Sequence, residues 1–242
     1  MKLIKSETPF QRFKVAIGLE RRPVLRLIHI GKCGGRTLIN AMEDSRRIDV
    51  EFRAFLRAHT RTLPDYNKKE IYAFAIRNPI KRAVSAYNWR RHLVLNEGRA
   101  HKRLPTEFDI MKKYETIDEL ACALYTGDRL NQKTADDFKG IHHLENGIYE
   151  FLSGVSTSIV PEQIMAVFCQ ETLNEDIETH LGIDMTERPR QHDNRGSGFS
   201  TELSATGRRN LVRFLQPDYA AIRELLTLYP LDETRTCALL DE

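Results

Sequence analysis

Two apolar runs dominate the hydrophobic pattern of the chain. Leu25, Leu27, Ile28 and Ile30 lie within residues 24–30, and "EIYAFAI" spans 70–76. Nearly unbroken apolarity over so short a length predicts strands covered on both faces, as in the middle of a parallel sheet. "IMAVFC" at 164–169 predicts a late strand of the same kind, and "VEFRAFLRA" at 50–58 alternates well enough to predict another. Between the runs the period changes to that of helices. Leu38, Ile39, Ala41 and Met42 predict a helix over 36–46, and Ile80, Ala83, Val84 and Tyr87 keep the i, i+3, i+4, i+7 spacing after "RNP".

Further along, "IDELACALYTG" and "LENGIYEFLSG" predict helices closed by Gly127 and Gly154, and "LNEDIETHLGI" a helix ending near Gly182. Two helices around "QPDY" close the chain, and residues 1–22 form a lead-in with Phe10, Phe13 and Ile17 on one side of an amphipathic helix. Strands alternating with helices argue for an α/β fold, a three-layer sandwich around a mainly parallel sheet. The 242 residues fit one domain, with a mostly helical segment at about 95–160.

Composition adds limits. With 41% hydrophobic and 29% charged residues the chain has the makeup of a globular protein, and a net charge of +3 is too small to imply nucleic acid. From Arg77 to Arg103, however, eight basic residues face one acid, Glu97. That segment is either a solvated helix face or a positive field for an anionic ligand or acceptor. Cys33, Cys122, Cys169 and Cys237 show neither CxxC pairing nor metal-ligand spacing and read as reduced thiols, which with the lack of a membrane-length apolar run gives a cytoplasmic expectation. No metal is expected; the adjacent His142 and His143 would diverge on a helix.

The chemistry concentrates in two segments, each at the end of an expected strand. After the first strand comes Gly31-Lys32-Cys33-Gly34-Gly35-Arg36-Thr37, then a helix. A helix N-terminus reached through glycines offers unpaired N–H groups to a phosphate, and Lys32 adds charge. A Walker loop would put its lysine after the glycines, so the order argues against a kinase or NTPase with a magnesium triphosphate. The second segment runs from Arg77 to Tyr87, "RNPIKRAVSAY". There Arg77 leaves a strand, Pro79 opens a helix, and Ser85 follows on that helix, so Arg77 and Ser85 are candidates for a second phosphate.

Together these segments resemble the signature of sulfotransferases that use 3′-phosphoadenosine 5′-phosphosulfate, most closely the carbohydrate (heparan- and chondroitin-type) branch and its bacterial relatives. The resemblance implies a P-loop-like fold in which Gly31 to Thr37 grip the 5′-phosphosulfate while Arg77 and Ser85 hold the 3′-phosphate. It implies that Lys32 stabilises the leaving group and that a histidine between the motifs, His59, is the general base. It further implies that Arg195 and Gly196 touch the 3′-phosphate and that Tyr87 or Trp89 lies near the adenine. The acceptor would be a hydroxyl of a small molecule or glycan, with nucleic acid and membrane excluded. Four departures stand out: Gly31 for proline, Cys33 for threonine, Arg36 for a small hydroxyl residue, and Asn78 for an aspartate that would orient Arg77. Two other readings stay open, a P-loop kinase or NTPase and a nucleotide-binding protein without catalysis.

Overall fold

The computed structural model describes residues 2–5, 21–58, 69–186 and 199–241. Five strands form the main sheet: β1 (Lys2–Lys5), β2 (Val24–His29), β3 (Ala54–Ala58), β4 (Glu70–Ile76) and β7 (Ile164–Cys169), in the order β1-β3-β2-β4-β7. Strands β3, β2, β4 and β7 run parallel, and β1 pairs antiparallel with β3 at the edge. Val24 pairs with Glu70 and His29 with Ala75. The apolar runs of β2, β4 and β7 are buried along nearly their whole length, because helices cover both faces of the sheet.

The helices in chain order are α1 (Gly35–Asp44), α2 (Arg46–Glu51), α3 (Pro79–Arg91), α4 (Glu107–Lys113), α5 (Ile117–Ala123), α6 (Gln132–Lys139), α7 (Ile148–Leu152), α8 (Val155–Ser158), α9 (Leu173–Leu181), α10 (Ala205–Phe214), α11 (Gln216–Leu228) and α12 (Glu233–Leu240). One apolar cluster surrounds the sheet with α1, α7, α9 and α11. A second joins α3 to α4, α5, α6 and α10.

The expected strands at 24–30, 70–76 and 164–169 are where the apolar runs put them. Of the strand expected over 50–58, residues 50–53 are not strand: 50 and 51 end α2, and β3 begins at Ala54. The helix after the glycine loop breaks at Ser45, whose buried hydroxyl donates to Leu181 O at 3.1 Å, and α2 follows. The helix expected to close at Gly127 ends at Ala123. Gly127, with φ 57°, instead turns a small hairpin of β5 (Tyr125–Thr126) and β6 (Arg129–Leu130). Helix α7 starts only after Gly147, where Asp218 Oδ1 accepts from Tyr149 N at 3.1 Å. The expected helix carrying Phe10, Phe13 and Ile17 lies outside the described residues.

One ion pair stitches the sheet. Arg26 and Glu70, 7% and 8% exposed, meet in a two-pronged pair in which Arg26 Nη2 donates to Glu70 Oε1 at 2.6 Å and Nε to Oε2. Removing one partner strands a buried charge, at a cost of about 3–5 kcal/mol, whereas removing both is often close to neutral. Urea unfolding should therefore show Arg26→Leu and Glu70→Leu each strongly destabilised, with the double variant recovering most of that loss.

Candidate active site

Chain direction locates the site. From β2 the chain passes to β3 on one side, while β4 lies on the other, so the carboxyl ends of β2 and β4 flank the topological switch point. The loop Gly31–Gly34 leaves β2 there and Arg77 leaves β4. They share a cleft of about 1270 Å³ whose lining includes His29, Lys32, Gly34, Gly35, Arg36, Thr37, Arg77, Ser85, Trp89 and His143.

The loop is built to open a helix end. Lys32 and Gly34 both take left-handed backbone, φ 71° and 73°, a conformation that costs a lysine energy and a glycine almost none. Helix α1 has neither a side-chain cap at Gly34 nor an acid in its first turn. Its leading N–H groups and the positive end of its dipole therefore face the cleft without a protein anion to answer them. Glycine is required twice here for space. A Cβ on Gly34 would sit 1.9 Å from Gln170 Oε1, and one on Gly35 1.7 Å from the His29 ring.

The remaining loop members support rather than face the ligand space. Cys33 is fully buried, its N–H goes to Ile30 O at 3.3 Å, and burial pushes its thiol up to about 12, which leaves it inert. Gly31 gives its carbonyl to Arg82 Nε at 3.1 Å. Arg36 is exposed and lines the cleft.

Two cations bracket the space. Lys32 Nζ lies 4.8 Å from the centre of the Trp89 ring, a cation–π contact. Burial, then repulsion by Arg77, lowers the Lys32 ammonium to about 8. Arg77 Nη1 donates to Lys32 O at 3.1 Å, and its Nε stands 4.0 Å from Glu171 Oε1. Burial works against the Arg77 charge as well. The carboxylate expected at position 78 is thus supplied by Glu171, which also accepts from Asn78 N at 3.2 Å. Around the cleft Lys32, Arg36, Arg77, Lys81 and Arg208 outnumber Glu171 and Glu175.

Lys32, Gly34, Gly35, Arg36, Thr37, Arg77 and Ser85 are therefore brought together as the motifs suggested. His59, Arg195 and Gly196 lie outside the described residues. Tyr87 is core, with its hydroxyl donating to Tyr114 O. Sequence reasoning missed His143. It set the His142–His143 pair aside as diverging on a helix, but residues 141–146 form turns and His143 has φ 73°. The glycine at 140 before the pair was the available signal that no helix continues there. Among the described residues no group of three or more His, Cys, Asp or Glu is placed to hold a metal ion, and no helix is long and apolar enough to cross a membrane. No protein-family model, curated protein or solved structure matches the chain.

The lowered Lys32 ammonium has a measurable signature. Its value rises to about 10.5 on unfolding, so unfolding takes up a proton between about pH 8 and 10.5 and stability rises with pH in that window. Ligand-free Lys32→Met should melt above the parent protein at pH 7, with the gap closing as pH climbs to 10.5. Thermal melts of the two proteins side by side cancel the titration of every other group.

Proposed function

We propose that the chain is a sulfotransferase that moves the sulfuryl group of 3′-phosphoadenosine 5′-phosphosulfate to an acceptor hydroxyl, with carbohydrates the first acceptor class to test. The observation that carries this reading is the meeting of the Lys32–Thr37 loop with Arg77 and Ser85 in one cleft, at the carboxyl ends of neighbouring parallel strands. Two anion-binding groups in one cleft suit a nucleotide that carries phosphate on both its 3′ and its 5′ oxygen. The uncapped end of α1 takes the 5′-phosphate, and the fork of Arg77 with the Ser85 hydroxyl takes the 3′-phosphate.

Transfer is an in-line displacement at sulfur, in which positioning and electrostatics do most of the work, as in phosphoryl transfer. Negative charge grows on the 5′-phosphate as it leaves. Lys32 meets that charge, and its own protonated form is favoured by the anion that it binds. The basic rim formed by Arg36, Lys81 and Arg208 suits an anionic acceptor. A cytoplasmic setting belongs to the same proposal and agrees with four free cysteines.

3′-Phosphoadenosine 5′-phosphate should raise the melting temperature without magnesium; stabilisation by Mg-ATP alone would sink the reading. Arg77→Ala should weaken this ligand about 10- to 100-fold, as expected for one or two charge-assisted bonds of about 1.5–3 kcal/mol, while 5′-AMP binding changes far less. Lys32→Ala should reduce transfer about 10²–10³-fold with the fold intact.

A further inference from the structure

His143 is held in place from several sides. It lines the cleft beside Lys32, and its ring packs so closely on Gly31 that a Cβ there would lie 2.5 Å from Nδ1. Its carbonyl is held by Arg82 Nη2 at 2.7 Å, in the left-handed backbone already noted. Behind it the rings stack: His143 on His142 at 4.0 Å between centres, and His142 on His101 at 4.1 Å. The buried carboxylate of Glu107 sets this stack by accepting from His142 N at 2.9 Å and His101 N at 3.0 Å, with Arg90 Nη2 paired to it at 2.6 Å. Packing fixes the His143 ring, and neither ring nitrogen has a hydrogen-bond partner among the described residues.

We propose that His143 takes the proton of the acceptor hydroxyl. This rests on the sulfotransferase reading. The acceptor oxygen forms its bond to sulfur, and its proton passes to a free ring nitrogen of His143. The bond from sulfur to the 5′-phosphate oxygen breaks, leaving its electron pair on the phosphate beside Lys32. The imidazolium then gives its proton to solvent through the open cleft. Burial first, then His142, Lys32, Arg82 and Arg90, hold the imidazole down to about 2 in the ligand-free chain, so it enters the reaction neutral. An anionic co-substrate at the loop reduces the part owed to Lys32, Arg82 and Arg90 and leaves the larger part owed to burial, so the imidazole accepts the proton only as charge leaves the acceptor oxygen in the transfer step.

The test compares His143→Asn and His143→Gly, both suited to left-handed backbone. Binding of 3′-phosphoadenosine 5′-phosphate is read by thermal shift. Consumption of the sulfated co-substrate is followed with monosaccharides, uronic-acid disaccharides, simple phenols and water as acceptors. Both variants should bind the nucleotide within about twofold of the parent and lose turnover about 10²–10⁴-fold, the range for a general base. Added imidazole should restore His143→Gly, which a merely structural role would not allow. Parent-like turnover in either variant, with loss in His59→Ala instead, overturns the proposal; so does loss of nucleotide binding together with turnover. A parent protein that binds the nucleotide but consumes no co-substrate overturns the sulfotransferase reading and His143 with it, whereas an active parent with active variants removes His143 alone.

Discussion

The guanidinium of Arg82 is the joint on which the site depends. It is 3% exposed, projects from α3, and donates to three backbone carbonyls: Gly31 at 3.1 Å, His143 at 2.7 Å and Asn146 at 2.9 Å. A buried cation survives only where its donors are satisfied, and the planar fork of arginine can reach several acceptors that a lysine could not. The neighbouring Asp218 is also buried; burial pushes its carboxyl up, Arg82 and two backbone N–H groups pull it back down, and its Oδ1 holds the start of α7. One side chain thus fixes the glycine loop, the turn bearing His143 and the helix bearing Ser85 relative to one another. The strained backbone at Lys32 and His143 persists because both carbonyl ends of the clamp are held.

With geometry fixed this way, the cleft holds more positive charge than the chain itself answers. Lys32 and Arg77 are both disfavoured as cations by burial, and Lys32 further by Arg77. The end of α1 adds a partial charge of the same sign. Such a site is under electrostatic stress until an anion enters, and the relief of that stress is binding free energy. Glu171 limits the stress at Arg77 without cancelling it, since the separation is 4.0 Å and its own ionisation is opposed by burial.

How much of this could be read in the sequence follows from the range of the forces involved. Strands β4 and β7 and the loop after β2 were legible because burial on both faces leaves a continuous apolar run, and glycines mark where backbone must turn left. Arg82 was not legible as a clamp, because a cation on a helix looks the same in sequence whether it points to water or to carbonyls from distant segments. His143 was hidden by a false premise, that its segment was helical. The edge strand β1, only four residues long (Lys2-Leu3-Ile4-Lys5), forms by pairing with β3, a contact that local pattern cannot reveal.

Asn78 shows how a departure from a motif can be a local optimum. Its Oδ1 accepts from Lys81 N at 3.0 Å and caps α3, a task that an aspartate performs equally well. Its Nδ2, however, donates to Leu239 O at 3.1 Å and Asp241 O at 2.9 Å, anchoring the end of α12 against the site. An aspartate has no proton to give at neutral pH and would face two carbonyl oxygens in a buried setting, an arrangement that costs rather than stabilises. Once the carboxylate is moved to Glu171, on the segment after β7, the amide is free to serve the C-terminal helix. The charge next to Arg77 and the anchor for α12 thus come from two residues, Glu171 and Asn78.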